Sequence, residues 1–293
     1  MRRRMQTRAE ASSAPTSQGH LRSRSGSRGA ACLLPLWAAA LLAGTLASPA
    51  AAETGVDIMK EQAKRHMTRS EETRSKVTLV DPSGKQKERE LVTIAKRGDD
   101  GLSKILLKFL SPSDIRNTGL LTWEQPGDKD DDQWLFLPAT KSVKRIASSS
   151  KKNAFMGTDL AYEDLRPENL ESHTYTVLRE ESLDGKPCWV IEAVPSTDKE
   201  KVESGYGKRL FWVRKDLYVT VQTDFYNRSD KLFKRATFSD LANVEGDLWR
   251  AKTVRVETLD RKTATVWTTV EQKVNQEVDD NLLTQQGLTR PAT

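Results

Sequence analysis

From about Ser75 to the end of the chain, apolar residues recur with a period of two, in short runs broken by polar turns. This is the pattern of β-strands that expose alternate side chains on opposite faces. "SKVTLV" and "ELVTIAKR" flank "DPSGKQK", whose Asp-Pro and Ser-Gly steps are strong turn chemistry, so the pair reads as a hairpin. "SKILLKFL", "GLLTWE", "QWLFLP" and "KSVKRI" follow, and then "HTYTVLREES", "PCWVIEAVP", "KRLFWVR", "YVTVQTDFY", "LFKRATFS", "LWRAKTVRVETL" and "TATVWTTVEQKV". The separators between them are as short as "KD", "NRSD" and "DRK". About a dozen such strands describe an antiparallel meander, and a sheet of that size must curl, close or fold onto itself. Along the last run Val266 and Val270 fall on one face, and Thr265, Trp267 and Thr269 on the other.

Helix is scarce. "TGVDIMKEQAKRHMTRS" spaces Val56, Met59, Ala63 and Met67 three to four apart, which predicts a short amphipathic helix with Thr54 or Asp57 as its N-cap. "DDNLLTQQGL" predicts a short helical tail. With so little helix to cover it, a curved sheet leaves an apolar hollow that either core side chains or a ligand must fill.

The N-terminus has another character. Arg22, Arg24 and Arg28 precede "ACLLPLWAAALLAGTLAS", which ends in "PAAAE", the layout of a secretory signal peptide cleaved after Ala52. The expected domains are residues 1–52 as a removed signal and residues 53–293 as one domain. Residues 1–52 hold seven of the 47 Lys+Arg and one of the 41 Asp+Glu, so residues 53–293 hold 40 of each. The apparent basic excess belongs to the leader, and the electrostatic footprint of a nucleic-acid binder is absent. Cys188 is the one cysteine left after residue 52, so an exported form has no internal disulfide.

Catalytic patterns are missing as well. His66 and His173 lie on different elements with no ligand spacing around them. "DKDDD" at 128–132 lacks the spaced ligands of a calcium loop and reads as a solvated turn. No serine sits in a Gly-x-Ser-x-Gly elbow, and "GYGKR" precedes a strand where a phosphate loop would precede a helix. No catalytic residue, metal ligand or cofactor is assigned. The tryptophans and phenylalanines, spread over nearly every strand, suit core packing or an apolar groove for acyl chains.

"SPSDIRNTGLLTWEQPG" followed by "DDQWLFLPATKSVKRIASSSKKNAFMGTDLAYEDL" resembles the outer-membrane lipoprotein-sorting proteins, the LolA-like group often associated with resistance-nodulation-division (RND) type permeases. The resemblance rests on Gly119-Leu120-Leu121, Trp134 to Pro138, Arg145, and Phe155 to Asp159 leading to Tyr162, Asp164 and Leu165. It implies an unclosed antiparallel β-barrel, mainly β, with a few short helices as a lid over an apolar concavity. It further implies a periplasmic, non-enzymatic carrier of lipid or lipoprotein acyl chains between an inner-membrane permease and the outer membrane, acting as a monomer. The alternative is an accessory subunit docked on an RND-type permease that carries no lipid itself.

On this reading the candidate lipid-binding residues are Leu120, Trp123, Trp134, Phe136, Phe155, Met156, Trp189 and Trp212. Residues 148–153, the end of the basic, serine-rich "KRIASSSKKN", are expected to form a flexible basic approach to Phe155 and Met156. That pair would sit at the cavity mouth or on a partner-facing or membrane-facing rim, or else tuck into the core. Lys151 and Lys152 would meet lipid headgroups or an acidic partner, or stand in solvent.

Overall fold

The structure is a computed structural model, and it describes residues 53–127 and 129–291. The signal-peptide expectation lies outside these residues. The described residues form one compact unit.

Thirteen antiparallel strands make one sheet: β1 (Ser70–Val80), β2 (Gln86–Arg97), β3 (Ser103–Ser111), β4 (Gly119–Trp123), β5 (Asp132–Leu137), β6 (Ser142–Arg145), β7 (His173–Leu183), β8 (Lys186–Pro195), β9 (Lys208–Arg214), β10 (Val219–Tyr226), β11 (Leu232–Glu245), β12 (Leu248–Thr258) and β13 (Thr263–Val274). Their spatial order is β6-β5-β4-β3-β2-β1-β13-β12-β11-β10-β9-β8-β7. Each consecutive pair is a hairpin except β6 and β7, which are the two edges. The sheet therefore stays open between β6 and β7, and the chain from 146 to 172 must cross from one edge to the other. This is the unclosed antiparallel barrel that the resemblance implied.

The predicted first hairpin forms because Asp81 organises its turn. Its carboxylate accepts from the Ser83 and Lys85 amides, and Gly84 supplies a φ of +86°.

Register divides the side chains between two faces. Trp267 lies opposite Val77, Val77 opposite Arg89, Leu91 opposite Phe109, and Leu107 opposite Leu120. These residues share the inner face. Trp134 lies opposite Leu121 and Leu121 opposite Leu106, and this row faces outward.

Two pieces of helix cover the sheet. Helix α1 (Gly55–Arg65) starts where the Thr54 side chain accepts from the Asp57 amide and ends on Lys64 and Arg65, charges matched to the helix dipole. It buries Ile58 and Met59 against Tyr175, Ile191 and Phe211 on the inner face. The sequence stripe is thus shifted: Ala63 is exposed, and Met67 lies beyond the helix, 51% exposed.

The second piece is C-terminal: a turn of 3-10 helix at Asp280–Leu283, then α3 (Gln285–Thr289). It caps the outer face, burying Leu283 and Leu288 with Leu106, Leu121, Trp134 and Phe136. Beneath it, the buried Lys108 amine donates to the carbonyls of Gly287 and Arg290, and burial pushes its pKa down to about 8. A short third helix, α2 (Asp198–Glu203), follows β8.

Candidate functional site

The segment that crosses between the open edges threads the inner face and is pinned along its length. Phe155 is fully buried, stacked on Phe109 at 5.7 Å and edge-on to Tyr162 at 5.5 Å. Met156 and Gly157, at φ +47° and +74°, turn the chain there, and Arg89 on β2 donates to the Met156 carbonyl at 2.7 Å. Asp159 follows, with a buried carboxylate that accepts hydroxyls from Thr258 at 2.6 Å, Thr265 at 2.9 Å and Thr263. Its own amide donates to Thr265. Four hydrogen bonds thus tie this loop to β12 and β13.

Three charged clips follow at alternate positions. The Asp164 carboxylate accepts from Lys234 and from Tyr206, each at 2.6 Å. Arg166 donates to Asp131 at 2.8 Å and to Glu163 at 2.6 Å. Glu168 takes a two-pronged bond from Arg209, 2.7 Å to each oxygen, and accepts the Tyr175 hydroxyl at 2.5 Å. Between the clips, Leu165 packs on the core cluster that holds Phe155.

Burial sets the electrostatics of this strap. It would raise the Glu168 carboxyl, but Arg209 outweighs it and holds the group below its usual value. At Lys234 burial wins over Asp164, and the amine is pushed down. The Glu163 carboxyl is pushed up for the same reason, despite Arg166. His173 accepts from Arg209 through Nε2 at 3.0 Å, and burial followed by the Arg209 charge lowers it to about 4.

The strap divides the inner hollow into two chambers, since residues 164–168 and Trp267 line both. The first, about 370 Å³, has a floor of Phe211, Phe225, Phe238, Val254 and Val256. The second, about 700 Å³, runs over Ala95, Ile105, Leu107 and Leu120 and opens beside Met67 and Arg69. Both volumes lie within the range of about 300–1,000 Å³ usual for small-molecule sites. Among the described residues no group of three or more His, Cys, Asp or Glu side chains is arranged to hold a metal ion.

Of the candidate residues chosen from sequence, Leu120 alone lines a chamber. Phe155 and half-buried Met156 belong to the packed root of the strap. Trp189 lies on the inner face but under α1, against Tyr218. Trp123, Trp134, Phe136 and Trp212 face outward, because their strand positions are one residue out of phase with the inner row. Trp123 and Trp134 pack edge to face at 5.0 Å under the C-terminal cap, while Trp212 donates to Glu181.

The flexible basic approach is also corrected. Lys151 is 1% exposed and bonded to Asp130 and to the Asp131 carbonyl. The acidic run expected in solvent is its counterpart, with Asp131 only 4% exposed against Arg166. Lys151 and Asp131 leave water as parts of one charged network with Asp130 and Arg166, while Lys152 stays exposed.

Comparison with known proteins gives the same architecture. A family model described as "-like: Uncharacterized protein" matches residues 101–290, well over half of the chain. The chain belongs to that family. Its structural neighbours are LolA-like. An outer membrane lipoprotein-sorting protein domain from Vibrio parahaemolyticus is 28% identical, with TM-score 0.76 over 80% of this chain and 98% of that one. A DUF1329 family protein from Desulfovibrio piger is 28% identical, with TM-score 0.75 over 80% and 97%. A LolA superfamily protein from Nitrosomonas europaea, 18% identical, shares the fold with TM-score 0.64 over 80% of this chain and 100% of its own. No curated protein matches the chain.

The LolA-like half-barrel explains why Phe155 to Asp159, Tyr162, Asp164 and Leu165 form a recognisable signature: they are the strap and its anchors. Sequence reasoning missed Arg166, Glu168, Lys234 and Arg209. The signal that could have found them is "DLRPE" at 164–168, where charges alternate with a leucine and a proline in a stretch too short for a strand.

Proposed function

We propose that the protein is a periplasmic, non-enzymatic carrier that shields acyl chains of a lipid or lipoprotein in the two chambers beneath the strap. One observation carries this reading: the hollow is left open on both sides of a segment held down by ionic clips, not filled by core side chains. A carrier needs this combination. Exposing an acyl chain to water costs roughly 0.8 kcal/mol per methylene, so a chain of about sixteen carbons costs on the order of 12 kcal/mol. The walls must cover that surface without directional bonds that would hinder release, and the floor of the smaller chamber is aromatic and aliphatic, as is the Ala95, Ile105, Leu107 and Leu120 wall of the larger. The cargo would pass between an inner-membrane transporter of the RND-permease type and the outer membrane, as the resemblance to the lipoprotein-sorting group implies.

The test is native mass spectrometry of protein purified from the periplasm without detergent, followed by lipid extraction. A co-purifying lipid at about one per chain is the expected result. A clean apo mass together with failure to take up a fluorescent fatty acid would sink the carrier reading.

A further inference from the structure

The rim of the larger chamber carries a charge arrangement that the fold itself does not balance. Inward-facing positions on β1 and β2 pair across the strands, Thr73 with Thr93 and Glu71 with Ala95, and Ala95 lines the chamber. One step further the row ends on Arg69 and Arg97, joined by a hydrogen bond from the Arg97 amide to the Arg69 carbonyl at 2.8 Å. Both side chains line the chamber mouth. Two arginine positions therefore lie directly opposite each other on the same face, where like charges repel and an anion at the mouth would be drawn to both.

No carboxylate among the described residues fills that role. Among the described residues, neither Arg69 nor Arg97 lies within ion-pair distance of one. Glu71, next in the row, is taken by Arg250 at 2.9 Å and by Gln272 at 2.7 Å. Glu124, across β3, accepts from the Ser103 amide at 2.8 Å. Asp280 is bonded to the neighbouring Lys96. The guanidinium contacts that do exist are to backbone carbonyls: Arg69 to Asn275, and Arg97 to Gly101. Arg97 Nε is buried with no partner at all. The chamber, apolar along Ala95, Ile105, Leu107 and Leu120, thus ends in two forked donors with no carboxylate partner, the chemistry that recognises phosphate or carboxylate.

We propose that Arg69 and Arg97 form a headgroup site, so that the larger chamber takes an amphiphile whose polar end is anionic, with its chain running inward over Ile105 and Leu107 towards Trp267. This rests on the carrier reading and specifies its cargo. Neutral and anionic single-chain ligands of equal length separate the two ideas.

Hexadecyl phosphate and hexadecanol are titrated into the detergent-free protein, reading displacement of a fluorescent fatty acid. Hexadecyl phosphate is expected to bind tighter by about tenfold or more, the size of one or two charged hydrogen bonds. In the Arg69→Gln/Arg97→Gln double variant the preference collapses, while hexadecanol binding and the melting temperature do not fall. Equal binding of the two ligands to the native protein would overturn the headgroup site and leave the carrier standing. Binding of neither would overturn the carrier itself. Inorganic phosphate serves as the third arm: if it binds as tightly as hexadecyl phosphate, the rim is a free-anion site and the lipid assignment fails.

Discussion

Asp164→Asn is the sharpest test of the strap as an electrostatically fastened element. The Asp164 carboxylate is 11% exposed, and the Lys234 ammonium it faces is 4% exposed. Lys234 also lies over the rings of Phe225 and Tyr206, which add attraction but cannot replace a counter-charge. Removing one partner of such a pair strands the other, a loss of about 3–5 kcal/mol in comparable sites. Asn keeps one acceptor for the lysine and the tyrosine hydroxyl, so the lower end of that range, about 3 kcal/mol, is expected. The sign of the pH dependence follows from Lys234. Its folded pKa is already below the free value, and without Asp164 it falls further. Between that folded value and the unfolded value near 10.4 the unfolded chain binds the extra proton, so the variant regains stability as pH rises through that window.

Urea unfolding of the wild type, Asp164→Asn, Lys234→Met and the double variant gives the coupling directly. The double variant should recover most of the loss, since methionine leaves no stranded ammonium beside the asparagine amide, which still accepts from the Tyr206 hydroxyl. A single variant within about 1 kcal/mol of wild type, or a double variant no better than the single, would refute the reasoning.

Further consequences follow from other parts of the site. His173 is held at about 4 against an ordinary 6.5, so its share of the stability is complete above pH 6.5 and is lost as the pH falls towards 4, at most about 3 kcal/mol; His173→Gln should flatten that limb of an acid-unfolding curve. Phe155→Ala removes a fully buried ring between Phe109 and Tyr162 and should cost about 3–5 kcal/mol in urea unfolding; a loss under about 1 kcal/mol would mean the ring is not core. Trp267 lines both chambers and Trp123 neither, so quenching by a spin-labelled fatty acid should disappear in Trp267→Phe and persist in Trp123→Phe.

The fold was legible because strand alternation and turn residues are local. "DPSG" makes its turn through its own Asp81 and Gly84, and the thirteen runs became thirteen strands. Which tryptophan faces inward was not legible in the same way. Trp134 and Leu135 are neighbours on one strand, and the choice between them is made by register across β3 to β5 and by what covers each face. The short tail from Asp280 claimed the outer face, and with it Trp123, Trp134 and Phe136. The charged clips were hidden for a related reason. Lys234 and Asp164 are seventy residues apart and Arg209 and Glu168 forty-one apart, so neither pair has a spacing to read. The acidic run at 130–132 and the lysine at 151 each look solvated alone and are buried only as a pair.

The position of β1 beside β13 has a consequence for how the protein is made. β1 and β2 can pair as soon as they emerge, as can the strands that follow to β6, because each needs only its predecessor. The other long side of β1 stays an open row of amides and carbonyls until the last strand exists, and Glu71 cannot meet Val274 before then. Until that moment the growing chain is two separate sheets with raw edges, the condition most prone to strand exchange with a neighbour. The long-range closure of this one seam is then the step that topology makes slowest.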